Sequence, residues 1–545
     1  MKRRNFLKLS ATSSAIGLLP FELNAMLKSV NISSCDVSNR KLVLINLAGG
    51  NDGLNTVIPI NEYDNYANLR PNLKISDTGV NSYITLDNSL PDNQLIGLHP
   101  ALIGFKSLYD QGWMRILQSV GYPAQNKSHF ASTDIYSTGN DGNSWDNGND
   151  SGWIGRFMET YYANDVNNPY PLGVQIGSNK TSLGFHGETE HSLAINISGQ
   201  DPSGFYSQLN GLGGLPPSVI PDSDYGVELQ YIIETDELSN QYSQAISNAF
   251  NAGNNSNSYP DTDLSNQLKT VAKLISGGLE SKVYIVRISG FDTHNNQNDG
   301  ANTLEGTHND LLTEVSGAIE AFFNDLDSQS LSDDIVGLTF SEFGRKAKEN
   351  GNFGTDHGEI APMFVFGKPV NGGVSGTNVD LSEATSDNNY QIETVQFDYR
   401  QTFGTILQNF LGADDTVIDN TFFNFTTDDS FTNSKIDELI KSSFSVDEEC
   451  HSQTLAIDEL VSQNHSKEWF VFPNPVRDIL QLHSLEEQTI VGYKIFNNRS
   501  QIELQGTHNL INGKLGINTT QLKSGIYFLQ ILWKNRKETH KILKL

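Results

Sequence analysis

Three short phrases hold the residue types best suited to chemistry: Gly290-Phe291-Asp292-Thr293-His294, Ser341-Glu342-Phe343-Gly344-Arg345 and Gly354-Thr355-Asp356-His357-Gly358. Asp292, His294, Glu342, Asp356 and His357 offer carboxylate oxygen and imidazole nitrogen. That donor mixture suits a divalent cation such as zinc or manganese. Any one acidic residue after a strand is an ordinary helix cap or turn residue. Five candidate residues, three acidic and two histidine, in three phrases favour a site.

The elements that must position them are legible around the phrases. Val283 to Ile288 and Ile335 to Phe340 are β-branched, apolar runs of strand length. Between them Leu304, Leu311, Val315, Ile319, Phe322 and Leu326 recur at helical spacing. A right-handed strand–helix–strand crossover sets the two strands parallel and sends both polar phrases out at the carboxyl edge of one sheet. Open α/β sheets place their ligands at that edge. Lys41 to Leu47 is a further strand, running into Gly49-Gly50-Asn51-Asp52-Gly53, where glycines allow a sharp turn that presents Asp52. This is not a phosphate-binding loop, because the Gly-Lys-Ser/Thr ending is missing. Asp52 is either a site residue or a turn residue.

A helix over His99 to Asp110 and a strand over Met114 to Val120 precede Gly121-Tyr122-Pro123 and a second helix that begins near Ser128. A serine at a helix start enjoys the positive helix end and free N–H groups, and a neighbouring metal would make its hydroxyl a nucleophile. Serine is equally a favoured N-cap. His129 beside it is a ligand or a packed histidine. Further on, a helix is expected over Leu264 to Ile275, a short strand over Met363 to Gly367, and the last helix of the main domain from Tyr399.

Composition bounds the function classes. A formal charge of −28 argues against nucleic acid as a partner, since phosphate binding needs a basic surface. Two cysteines, Cys35 and Cys450, exclude a cysteine metal site or a disulfide scaffold, and could pair only with each other. No His-Glu-x-x-His stretch occurs, which disfavours a metallopeptidase. Lys2-Arg3-Arg4 before the apolar stretch Leu9 to Phe21 marks residues 1–25 as an export signal, twin-arginine-like or Sec-type, and no other run suits a membrane span. The main α/β domain is expected over 41–427. A polar, acidic linker should follow at 428–466, and a small all-β sandwich of short alternating strands at 467–545.

Two resemblances add to this. The tail, through Pro473-Asn474-Pro475, Gly525-Ile526-Tyr527 and the terminal Lys541-Ile542-Leu543-Lys544-Leu545, resembles the C-terminal sorting domain of the type IX secretion system of Bacteroidota. It implies the type IX machinery as a partner and a secreted or surface-attached product. The main domain resembles the DUF1501 family, grouped with alkaline phosphatases and sulfatases, through Gly49 to Asn55, Ser128-His129-Phe130, Gly152-Trp153-Ile154-Gly155-Arg156 and the three phrases above.

The second resemblance implies a largely parallel sheet flanked by helices. It also implies a metal-dependent hydrolase of phosphate or sulfate esters, acting on an anionic ester or polysaccharide. Ser128 would be the nucleophile, and Asp52, Asp292, His294, Glu342, Asp356 and His357 would hold the ion. Zinc is the leading candidate, with manganese, magnesium and calcium as alternatives. Arg345 would clamp an anionic oxygen or serve a structural salt bridge. The Asp292–His294 spacing and the Glu342-Phe343 pair depart from the superfamily pattern. A catalytically degenerate protein with a surface binding role is the alternative.

Overall fold

The computed structural model describes residues 37–143, 151–163, 165–166, 168–177, 183–188, 194–197, 240–299, 302–423 and 435–446, with most of 469–544. The export signal, both cysteines and much of the expected linker lie outside these residues. The chain divides into two units, Met1–His451 and Ser452–Leu545.

In the large unit the sheet strands, in chain order, are β1 (Lys41–Ala48), β2 (Met114–Gly121), β3 (Gly173–Ile176), β4 (Ala194–Ile197), β5 (Val283–Ser289) and β6 (Ile335–Phe340). A separate hairpin pairs β7 (Arg345–Glu349) with β8 (Thr355–His357), and β9 (Ala361–Phe366), β10 (Gly373–Ser375) and β11 (Phe397–Asp398) return to the sheet. The sheet order is β10-β2-β9-β6-β1-β5-β3-β4, with β11 also on β2. All pairings are parallel except those of β9, which is antiparallel to β2 and β6. The expected crossover from β5 to β6 is present, with β1 lying between the two strands. The loops after β1, β5 and β6 therefore leave the same edge side by side.

Helices cover both faces. Alternation along β1 sends Val43, Ile45 and Leu47 into one core and Leu42 and Leu44 into the other, as the two-residue strand period requires. On the first face pack α1 (Ile103–Asp110), then α4 (Asp263–Ser276) and α5 (Thr307–Ser328), with α2 (His129–Thr138) and α3 (Trp153–Tyr161) on the second, beside α6 (Tyr399–Asn409) and α7 (Asp415–Phe422). In α5 the buried residues Leu312, Val315, Ile319, Phe322 and Leu326 follow the helical period. Leu304 precedes the helix and packs elsewhere, against a smaller cluster around Tyr66 and Ile75. Thr262 caps α4 by accepting from Ser265 N, and Asp398 with Gln401 forms a capping box on α6. Helix α6 is not the last, since α7 follows it.

Part of the stretch expected to be linker folds onto this unit. Ile436, Leu439, Ile440 and Val446 are buried, Ile436 N donates to Thr405 Oγ1, and Val446 N donates to Asn409 O. The second unit holds two antiparallel sheets, Trp469–Phe472, Ile479–Ser484 and Lys514–Asn518 in one, and Ile502–Gly506, Ile490–Phe496, Gly525–Trp533 and Lys537–Lys544 in the other. Leu480 and Ile517 of the first share a core with Ile495, Leu529 and Ile542 of the second.

Under the loop that follows β1 two histidines are buried together, His99 and His308, their rings 5.9 Å apart and edge to face. Burial pushes His308 down to about 4 and His99 to about 3. Both are neutral in the fold, whereas in the unfolded chain they gain a proton near pH 6.5. The unfolded state therefore binds more protons below that pH. Their contribution is fully present above about pH 6.5 and is lost as pH falls toward 4, by roughly 3 kcal/mol for His308. Urea unfolding between pH 7 and 4.5 should show this decline, with a shallower slope in His308→Gln.

Candidate metal centre

The geometry begins with three loops drawn together. Gly49 and Gly50 adopt φ of +125° and +80°, and a Cβ on Gly49 would lie 2.3 Å from Asp292 N, so only glycine permits the approach. Ser341 Oγ donates to Leu47 O and accepts from Asn51 N, tying the loop after β6 to the loop after β1. The Arg345 side chain, fully buried, closes the group. Its guanidinium donates to the carbonyls of Gly49, Gly50, Phe291 and Thr355, and to Asp292 Oδ1 at 2.8 Å. Arg345 thus donates to the protein's own oxygens and pairs with Asp292.

Asp292 stands at the centre. Burial works to raise its carboxyl, but the hydrogen bond and charge of Arg345, aided by His129 and His294, hold it below the usual carboxylate range. Its Oδ1 lies 3.2 Å from His294 Nε2 and 3.3 Å from His357 Nε2, and its Oδ2 lies 3.4 Å from His129 Nε2. Among the described residues, His129, Asp292 and His357 are the group whose donor atoms all lie within 4.8 Å of one another.

Each imidazole is held from behind. His129 Nδ1 meets Glu342 Oε1 at 2.9 Å, His294 Nδ1 meets Asp356 Oδ1 at 3.2 Å, and His357 Nδ1 meets the Lys127 carbonyl at 2.8 Å. All three partners only accept, so in each neutral ring Nδ1 carries the proton and Nε2 the lone pair. The three Nε2 lone pairs then face Asp292, and those of His294 and His357 are 2.9 Å apart. Lone pairs so close repel unless a proton or cation lies between them. His129 Nε2 is also buried without a hydrogen-bond partner among the described residues. A tetrahedral zinc with bonds near 2.0–2.1 Å sets its ligands about 3.3 Å apart, close to the separations of the Nε2 atoms of His129 and His357 from Asp292. The residues present fit a divalent metal. Carboxylates behind ligating histidines are the usual outer support of such sites.

The residues expected at the site are therefore sorted. Asp292, His294 and His357 come together. Glu342 and Asp356 stand behind histidines: Glu342 Oε1 also accepts from Gly49 N, and Asp356 is held low against burial by Asn350, His294 and Lys346. Asp52 is not among the gathered donors. It is buried, paired with Arg70 Nη1 at 2.6 Å, and its Oδ2 also accepts from Gln297. His129, left open between ligand and packing in the sequence, joins the cluster. Ser128 precedes it as the N-cap of α2, is exposed, and makes no capping hydrogen bond through its side chain. The signal for His129 was its place at a helix start after a strand; nothing in the sequence pointed to the Lys127 carbonyl.

The chain belongs to the family described as a protein of unknown function, DUF1501, whose model matches residues 118–413. Residues 470–544 match a secretion system C-terminal sorting domain, which marks the chain as a secreted or cell-surface protein. No helix among the described residues is long and apolar enough to cross a membrane. No curated protein matches the chain. Among solved structures it is similar to a protein of the alkaline phosphatase superfamily from Vibrio parahaemolyticus, at 10% identity over 87% of this chain and 82% of that one, with a TM-score of 0.27. It is similar also to the PsFucS1 sulfatase of Pseudoalteromonas sp., at 12% identity over 88% and 83%, with a TM-score of 0.28.

Replacing Arg345 by methionine leaves four carbonyls and Asp292 without their donor. The expected loss is roughly 3–5 kcal/mol of stability, read by urea unfolding.

Proposed function

We propose that the protein is an exported, metal-dependent hydrolase of phosphate or sulfate esters. The observation that carries the metal is the convergence of three imidazole Nε2 atoms on one carboxylate, with every Nδ1 set against an acceptor oxygen. His129, Asp292 and His357 would hold the ion, with His294 beside His357, and zinc is first among the candidates by donor set. When bound, it would polarise an ester oxygen and lower the pKa of a nearby hydroxyl.

The chain's own residues divide the remaining work. Ser128 is the nucleophile: its Oγ is not spent on capping and it sits one residue from His129. It would form a bond to phosphorus or sulfur as the bond to the leaving alcohol breaks, and water would then release the serine. Glu342, Asp356 and the Lys127 carbonyl keep the imidazoles turned with Nε2 inward. Arg345 and Asp52 serve the loops, the first by gathering their carbonyls and the second through Arg70. The choice of phosphate and sulfate esters follows from the motif resemblance, and the route to the exterior from the sorting domain.

Metal analysis of the full chain should find about one ion per molecule, as one tetrahedral set of ligands requires. Asp292→Ala/His357→Ala should hold none. Ser128→Ala should keep the metal and lose turnover of aryl phosphate or sulfate by several orders of magnitude. Metal without turnover in the wild type would favour the degenerate, binding protein. A folded, metal-free wild type would overturn the centre.

A further inference from the structure

Among the described residues, a cleft of about 550 Å³ lies between α2 and the sheet, and its lining includes His129, Asp292 and Glu342. It is thus continuous with the candidate metal centre. One wall is a chain of rings. Tyr136 stacks on Phe340 at 5.9 Å, Phe340 meets Phe403 edge-on at 6.2 Å, and Phe403 stacks on Trp153 at 4.8 Å. The floor is a row across three adjacent strands, where Asn46 of β1 stands in register with Phe340 of β6 and Arg287 of β5.

Asn46 is out of place by packing logic. Central strands of a parallel sheet covered on both faces run as unbroken apolar sequence, and Asn46 is the lone polar residue between Leu42 and Ala48. It lines the cleft, and its Oδ1 is shielded from solvent with no hydrogen-bond donor among the described residues. Such a group costs stability unless something satisfies it. A carboxamide offers both a donor and an acceptor, as a hydroxyl does. Ring faces beside an amide match a ligand that is itself a ring with hydroxyl groups. An aryl ester supplies the ring without the O–H, and a simple alkyl ester supplies neither.

We propose that this cleft binds the hydroxylated ring of a sugar-type ester, with a hydroxyl hydrogen-bonded to Asn46 and the ring against Phe340 and its aromatic neighbours. Placing the ester group at the metal centre rests on the function proposed above; the ring subsite stands on the cleft alone.

Calorimetric titration of the full chain tests it, with hexose 6-phosphates, hexose 6-sulfates, the neutral hexoses, phenyl phosphate and inorganic phosphate as probes. At least one hexose ester should bind about tenfold more tightly than phenyl phosphate, the scale of one well-made hydrogen bond. Asn46→Leu should bring the two to parity without weakening phenyl phosphate. Asn46→Gln, which keeps the amide but displaces it, should do the same if the leucine variant fails to fold. The proposal is overturned if phenyl phosphate matches every hexose ester, or if the margin survives in a folded Asn46 variant. Failure of the metal reading looks different: hexoses and their phosphates would bind alike, and Asp292→Ala would change neither, while the dependence on Asn46 remained.

Discussion

A buried guanidinium gathers the backbone at the carboxyl edge of the sheet. Carbonyl oxygens from three separate loops, after β1, after β5 and within the β7–β8 hairpin, point toward one interior spot. Without a cation their dipoles would repel. Arg345 supplies the charge and a planar fork of donors, which a lysine's single ammonium could not spread over the same set of acceptors. The charge is buried at acceptable cost because each oxygen is part of the fold, and Asp292 lies against its open side. The position of Asp292 is therefore a consequence of how three loops are joined.

From that carboxylate outward, the site is built by bracing. A neutral imidazole can present either nitrogen, and only its partner decides which. Here a glutamate, an aspartate and a main-chain carbonyl make the same decision three times. The glutamate does more, because its Oε1 also accepts from Gly49 N and so couples the orientation of His129 to the turn after β1. Acidic residues that look equivalent in the sequence thus separate into one at the centre and two behind it.

What the sequence showed and what it withheld follow from the range of the forces involved. β1, β5, β6 and α5 were legible because each depends on a local pattern, an apolar run or a helical period, that ends at a polar phrase. That the phrases after β5 and β6 should leave the same edge followed from the handedness of the crossover. The fate of Asp52 was not legible. Its partner Arg70 lies just past a short helix and Gln297 lies in a loop after β5, so the ion pair exists only once the chain has folded. The antiparallel direction of β9 was equally hidden, since direction is set by neighbours rather than by composition. Residues 435–446 look polar and acidic, yet Ile436, Leu439 and Ile440 among them join the core that α6 also enters, which no local pattern announces.

Two buried polar groups invite comparison. Asp52 interrupts a turn, and a guanidinium and an amide both reach its Oδ2, while its Oδ1 is left without a donor among the described residues. Asn46 interrupts a strand, and its Oδ1 likewise has no donor among the described residues. Hydrophobic residues flank it along β1, and a leucine there would extend the pattern already present. A group that weakens the sheet at its centre, beside a cleft that reaches the metal-type donors, is better explained by what enters the cleft than by the packing of the protein itself.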